Sequence, residues 1–490
     1  MRDKAINFEN FNILRVALLT LIIAVPILPK FPLINVPGTY VAIRVEDFLL
    51  LLFGIFWLIW FVKLKSLREF FQDNLNLAIL FYLLVGAVSL LSAIFVTQSV
   101  TPHLGLLHYL RRAEYFLPFF IATAVIKQKS DIVISLSSLF VVTVFVILYG
   151  IGQLYFGLPV VSTSNEEFSK GLLLPLTEGA RVNSTFAGHY DLAAYLAIVF
   201  CLAATFLFSS LWIKQKLLKT YLPLAILTLV SYWLLVRTES RISFIAVIVG
   251  LVVILLLLKK RAFIIPTVLG VVIFALIFSP NLIKRFNLTF QYGIEFIQKK
   301  LQNEKSFQVM NVAFAQVSKP PVVQPADLPK ATESSRPAEV VTASTEEPAP
   351  GEPESLFERV VFRSGGIRFN VEWPRALRAF LKNPIFGTGF SSITLATDND
   401  YLRILGETGV LGFFSFLLIF FEIGKRIIVF FKNKHEQFFQ IVVIGMTGVI
   451  IVMLVNALFI DVFEASKIAI LFWTLMGILV ATMKLAKTNA

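Results

Sequence analysis

Stretches of about twenty apolar residues recur from one end of the chain to the other, and no other feature restricts its fold as much. Each is long enough to cross roughly 30 Å of hydrocarbon as a helix. Each is continuous rather than alternating, which excludes a closed β-barrel. The spans fall at 11–29, 45–62, 75–96, 112–126, 132–156, 190–210, 220–236, 242–258, 262–279, 404–423, 439–460 and 466–483. The expected fold class is therefore all-α, a polytopic membrane protein of about 12 transmembrane helices. Composition agrees: 57% of the residues are hydrophobic and only 15% charged, against roughly a quarter charged in a soluble domain.

The even span number puts both termini on one side, and the basic residues say which. Lys63, Lys65 and Arg68 follow the second span, Lys127 and Lys129 the fourth, and Lys214, Lys216 and Lys219 the sixth. Lys259, Lys260 and Arg261 follow the eighth span, Lys425, Arg426, Lys432 and Lys434 the tenth, and Lys484 and Lys487 the last. Alternate loops thus share a lysine-rich face, which the charge bias of membrane insertion assigns to the cytoplasm. Both termini are expected there, in a cytoplasmic (inner) membrane. This placement accounts for the net charge of +13 without a nucleic-acid partner. The N-terminal apolar stretch runs into Phe31-Pro32-Leu33 with no small-residue cleavage site, so it reads as a retained helix. Cys201 is the single cysteine and cannot form a disulfide within the chain.

The opposite face breaks the pattern. Its edge carries arginines: Arg111, Arg112, Arg181, Arg237 and Arg241. Outer arginines oppose the insertion bias, so either lipid headgroups or a function retains them. The long outer segment 280–403 separates the span region 1–279 from the region 404–490. Phe286, Phe290, Ile294, Ile297 and Leu301 recur at helical spacing, which predicts an amphipathic surface helix over 281–301. Residues 317–354 are rich in Pro, Ala, Glu, Ser and Thr and predict a disordered insertion. A further helix is expected over 366–382, ended by Pro384 and a glycine turn.

Three blocks carry the residues suited to chemistry. The first is Arg181-Val-Asn-Ser-Thr-Phe-Ala-Gly-His-Tyr-Asp191. The second is Arg237-Thr-Glu-Ser-Arg241. The third runs from Asn383-Pro-Ile-Phe-Gly387-Thr-Gly389 through Asp398-Asn-Asp-Tyr-Leu402 to Glu407-Thr-Gly-Val-Leu-Gly412. In order and spacing these blocks resemble those of the O-antigen ligase and O-antigen polymerase superfamily. The resemblance covers about 180–425 and rests on Arg181, Ser240-Arg241, Arg368, Trp373, the Asn383–Gly389 turn, Asn399, Tyr401, Leu402, Glu407, Gly409 and Gly412. Where ligases of that family carry a His before the Asn, this chain has Asp398.

The resemblance implies a GT-C-like membrane glycosyltransferase with no metal or other cofactor. Its partners would be a glycan on undecaprenyl pyrophosphate, a hydroxyl acceptor on glycan, lipid or protein, and the bilayer. A leaving pyrophosphate develops negative charge, and guanidinium groups hold phosphate oxygens bidentately while remaining charged. Arg181 and Arg241 are the first candidates for that role, with Arg237, Arg368 and Arg112 beside them. The acceptor hydroxyl needs a base within hydrogen-bond reach; Asp398 is one candidate and His189 the other. Asn399, Tyr401 and Glu407 read as supporting residues, Glu407 through pairing with an arginine. Asp400 is the expected N-cap of the following helix. Arg111 or Arg112 is set to pair with Glu114. The four histidines lack metal-motif spacing. A transporter of a small solute or a lipid-linked glycan is the alternative class. It calls for charges midway along spans, and most charges here sit at span ends.

Overall fold

A computed structural model describes residues 2–39, 42–64, 67–161, 172–176, 180–210, 217–282, 284–288, 291, 368–393 and 396–488. The chain divides into two compact units, Met1–Ile283 with Arg368–Ala490, and Lys284–Ile367. The expected insertion 317–354 and most of the expected helix 281–301 lie outside the described residues.

The first unit is a helical bundle. Its helices are α1 (Arg2–Ile27), α2 (Val45–Leu64), α3 (Leu67–Phe71), α4 (Asn74–Phe95), α5 (Pro102–Tyr115), α6 (Leu117–Val125), α7 (Lys129–Tyr155) and α8 (His189–Ser210). They continue with α9 (Leu217–Arg237), α10 (Arg241–Leu257), α11 (Ile264–Phe278), α12 (Trp373–Lys382), α13 (Asp400–Lys432), α14 (Gln437–Asn456) and α15 (Ser466–Thr488). One antiparallel pairing, Val160–Val161 with Leu173–Leu174, is the only strand pair among the described residues.

Among the described residues, eight helices are long and apolar enough to cross a membrane, and α1, α9 and α10 hold shorter apolar stretches. The protein is therefore an all-α, multi-pass membrane protein. The fourth expected span departs from a simple crossing. Residues 112–126 do not form one helix: α5 ends at Tyr115, and α6 starts anew with Pro118 in its first turn. Proline lacks the N–H that would have continued α5. The nine residues of α6 rise only about 14 Å.

The core lies around α8 and α15. Their apolar windows are 83% and 89% buried, against 11% for α11 at the periphery. A helix that is apolar all round belongs inside a bundle; both are, and other helices surround them. α15 packs on α6 and α14, and α8 on α9 and α14. At Gly477 a Cβ would come 2.5 Å from the Phe119 carbonyl oxygen, so α6 and α15 approach as only a small residue permits.

The third sequence block folds back on itself. α13 is broken at Gly409, whose φ of 67° and ψ of −169° are non-helical. The break frees backbone groups on both sides of it, and the glycine turn after α12 fills them. Thr388 N–H donates to Gly406 O at 3.0 Å and Gly389 N–H to Glu407 O at 2.7 Å. In return Val410 N–H donates to Pro384 O at 2.8 Å. A Cβ on Gly387 would lie 2.4 Å from the Glu407 carbonyl carbon, and one on Gly409 2.3 Å from Ile385 O. The Asn-Pro-x-x-Gly-x-Gly and Glu-x-Gly-x-x-Gly patterns are thus two halves of one joint.

The joint orders the two ends of the bundle. The start of α4 and the far ends of α13 and α15 meet where Asp73 takes Arg426 and Lys484. At the opposite end stand the starts of α8, α10 and α13, each bearing one sequence block.

Candidate functional site

The first block forms the loop from 181 into α8. Four anchors fix its backbone. The Gln153 amide donates to Ser184 O at 3.0 Å and accepts from Ser184 N–H at 2.7 Å. The hydroxyl of Ser184 donates to Val146 O at 2.6 Å and that of Thr185 to Pro26 O at 2.6 Å. The Lys467 ammonium, buried in α15, donates to Thr185 O at 2.8 Å and lies 4.8 Å from the Phe186 ring centre. Ser184 itself sits at a φ of 50°. The second block is the tight turn between α9 and α10. Ser240 caps α10 by accepting from Ser243 N–H, and Ser243 Oγ donates to Asn456 on α14 at 2.7 Å.

These anchors deliver the arginines to one place. Arg181 donates to His189 Nε2 at 2.5 Å and lies 3.7 Å from Glu239. A guanidinium only donates, so His189 Nε2 is the acceptor in this contact. Arg368, in the π-helical turn Arg368–Glu372 before α12, donates to Asp398 Oδ2 from Nε at 2.9 Å and from Nη2 at 2.6 Å. Its Nη2 also reaches the Tyr190 hydroxyl at 3.4 Å, and its guanidinium lies 5.6 Å from the Tyr190 ring centre. Arg241 interacts with Tyr190 by a side-chain hydrogen bond and lies within electrostatic reach of Arg368 and Arg181. Three arginines from three chain segments therefore surround one tyrosine.

Asp398 stands at a φ of 49°, and its side chain is 24% exposed. Burial pushes its carboxyl above the usual carboxylate range; Arg368 opposes this and Asp461 adds to it. Both contacts from Arg368 fall on Oδ2, which leaves Oδ1 able to take a proton. Glu372, one helical turn after Arg368, is pushed up to about 7 by burial and by the charge of Asp398.

The loop that carries Asp398 hangs on Asp461, between α14 and α15. Its carboxylate accepts from Thr397 N–H at 2.8 Å and from Asn399 N–H at 3.0 Å. It also takes Arg403 Nη1 at 3.0 Å. The N-cap of α13 is Asn399, accepting from Leu402 N–H at 2.9 Å, and not the expected Asp400. Asp400 instead accepts from Phe463 N–H at 3.0 Å. Its place inside the bundle follows from that contact. Tyr401 donates to Leu454 O at 2.9 Å. Glu407 is buried with Arg403 at 3.5 Å and Arg112 at 4.0 Å.

The candidate arginines thus separate into groups. Arg181, Arg241 and Arg368 converge. Arg112 does not join them: it pairs with Glu464, near Glu407, and donates to Phe463 O at 3.2 Å. Arg111 pairs with Asp47 at 2.9 Å and Glu114 at 3.9 Å. Arg237 is exposed and takes part in none of these contacts. Sequence reading passed over Tyr190, Glu239, Arg403 and Asp461. Two signals pointed to them. Glu239 lies between two candidate arginines, and Asp461 with Glu464 places acids at the same end of the spans as the arginines.

A groove of about 780 Å³ opens beside this end, between α2 and α5. Its walls include Leu50, Leu51, Ile55, Trp57 and Phe120, and its polar end Asp47, Arg111 and Glu114. From that end a line of charges leads inward. Arg44 N–H donates to Asp47 at 2.8 Å, and the Arg44 side chain lies 4.0 Å from Glu46. Lys30 lies within electrostatic reach of Arg44 and Glu46 and 3.7 Å from Asp191, in the same turn as His189 and Tyr190.

Residues 224–417 match the profile of a family described as O-antigen ligase. The matched stretch contains Arg237, Arg241, Arg368, Asp398 and both halves of the glycine joint, and begins after Arg181 and His189. No curated protein matches the chain. That match, over the middle of the chain, supports the O-antigen ligase/polymerase superfamily as the family this protein resembles.

Proposed function

We propose that the protein is a membrane glycosyltransferase that moves or polymerises a glycan from a polyprenyl (undecaprenyl) pyrophosphate donor onto a hydroxyl acceptor at the outer face of the cytoplasmic membrane. One observation carries the reading: Arg181, Arg241 and Arg368 gather around Tyr190, with Asp398 held by the third. Three cations, with the carboxylates of Asp398 and Glu239 and one phenol among them, leave an excess of positive charge suited to a polyanion. The diphosphate of the donor is such a group, and guanidinium forks match its oxygens. Asp47, Arg44, Glu46, Lys30 and Asp191 link this place to the apolar groove, which suits an isoprenoid chain.

The reaction follows from these groups. The acceptor oxygen attacks the anomeric carbon, and the bond from that carbon to the pyrophosphate oxygen breaks. Its electron pair leaves with the pyrophosphate, where the arginines stabilise the charge. Their effect is larger in a site that excludes water. The acceptor proton passes to Asp398 Oδ1. Arg368 contacts only Oδ2, so it orients the carboxylate without blocking the base. His189 is the less suited base, since its Nε2 lone pair already accepts from Arg181; it orients that arginine instead.

The test is complementation in the native host with Arg181→Ala, Arg241→Ala and Asp398→Ala, reading surface glycan and lipid-linked precursor at equal expression. The reading expects loss of product and accumulation of precursor in each. Wild-type behaviour of all three overturns it. Shortened glycan identifies a polymerase, and unattached glycan of full length a ligase.

A further inference from the structure

At the end of the bundle opposite the arginines lies a second charged cavity, of about 380 Å³. Lys425, Arg426, Lys484 and Lys487 line it, against Asp73 and Glu422. Arg426 and Lys484 both bind Asp73, and Lys425 lies 3.6 Å from Glu422. Four cations thus face two carboxylates. The excess is exposed: the side chains of Lys425 and Lys484 are 56% and 61% accessible, and Lys487 is exposed with no ion pair among the described residues.

A slot of about 150 Å³ adjoins this cavity and shares Asp73, Val480 and Lys484 with it. Trp57, Trp60, Phe61, Phe70 and Phe120 line the slot, with Glu69, Asn76 and Thr123 also in its wall. Tryptophan and phenylalanine next to lysines are what a membrane–water boundary selects. The lysine-rich loops leave from this same end, which faces the cytoplasm by the charge bias of insertion. The leaflet on that side carries the anionic lipids.

We propose that this end holds an anionic glycerophospholipid, with its phosphodiester among Lys425, Lys484 and Lys487 and an acyl chain entering the aromatic slot. The cavity's own lining has two cations in excess, and Glu69 in the adjoining slot offsets one of them, which matches the single charge of one phosphodiester. A zwitterionic lipid brings its own cation and leaves that excess unmet. A free phosphate gains nothing from the slot. Arg426 and Asp73 tie α13 to the start of α4 and hold the cavity open; they are not the groups that select the lipid.

The experiment uses the purified full-length chain in nanodiscs of phosphatidylcholine with and without phosphatidylglycerol. Bound lipid is counted by native mass spectrometry, and thermal unfolding is followed in parallel. The wild type is expected to retain phosphatidylglycerol in preference to phosphatidylcholine and to unfold at higher temperature with it, while glycerol phosphate in solution does neither. K484Q/K487Q is expected to lose that preference, with affinity lower by about tenfold or more. K432Q/K434Q, which removes equal charge from the same end outside the cavity, is expected to keep it. Equal retention by K484Q/K487Q and the wild type overturns the proposal. So does equal retention of both lipids by the wild type, a loss of the same size in K432Q/K434Q, or the same stabilisation by free glycerol phosphate.

Discussion

Ser184, Glu239 and Asp398 hold φ values of 50°, 55° and 49°, a left-handed conformation that costs a residue other than glycine roughly 1–2 kcal/mol. Each lies in a different sequence block, beside a residue of the arginine cluster. Strain of this kind persists where surrounding contacts over-determine the backbone, and Gln153, Ser240 and Asp461 supply those contacts. For Asp398 the consequence is chemical. Burial raises its carboxyl, so a transfer reaction using it as base falls off in acid, as the proton returns to Oδ1. Asp398→Asn is expected to lower turnover by about 10²–10⁴-fold and to abolish that acid limb, with substrate KM changed far less; a pH–rate profile with purified enzyme checks it. Glu372 gives a separate stability effect. Its carboxyl rises from an ordinary 4.5 to about 7, so the folded state binds the proton more tightly than the unfolded state. Its contribution is full below about 4.5 and is lost as pH rises through about 7. Glu372→Gln is therefore expected to lose less unfolding temperature than wild type between about pH 5 and pH 8, read by differential scanning fluorimetry. At this scale the arginine blocks were legible because guanidinium groups stand at the span ends opposite the lysine-rich loops. Tyr190 and Arg403 were not, and Glu239 and Asp461 showed only as acids near arginines, because their roles depend on which helix ends adjoin.

The element that organises the site is the joint between the glycine turn and the kink of α13. Three hydrogen bonds across Gly409 replace what the broken helix lost, and they set where the chain leaves the glycine turn towards Asp398. Gly409→Ala meets both obstacles at once: a φ of 67° and a Cβ 2.3 Å from Ile385 O. A loss of about 2–4 kcal/mol is expected from strain and overpacking, seen as a lower unfolding temperature in detergent. Gly424, later in the same helix, has open space around a Cβ; Gly424→Ala is the control and is expected to leave that temperature unchanged or higher. Sequence reading identified these glycines as turn and packing positions. It did not reveal that the turn docks into the helix, since the kink residue sits inside an otherwise helical apolar pattern. The break between α5 and α6 is the converse case. Pro118 stood in plain view within the fourth expected span, and the length of the apolar run concealed its effect.

Across the whole molecule, the charge pattern and the fold agree. The arginine cluster and the basic cavity occupy opposite ends of the bundle, and the apolar core around α8 and α15 lies between them. The helical class and the separation of the arginines from the lysine-rich loops were legible from apolar runs and charge alone. The division of labour among the arginines was not: Arg112 and Arg111 lock helices together through acids, while Arg181, Arg241 and Arg368 converge on Tyr190. The central claim is that this convergence is a pyrophosphate site, and binding tests it most directly. The measurement is the affinity of the purified chain for undecaprenyl pyrophosphate and for undecaprenyl monophosphate, compared among wild type, Arg181→Gln and Arg241→Gln. The account predicts that wild type prefers the pyrophosphate and that each substitution weakens that binding by about 10–100-fold, the worth of one charge-assisted hydrogen bond. Equal affinity for the two lipids, or unchanged pyrophosphate affinity in both variants, would contradict it.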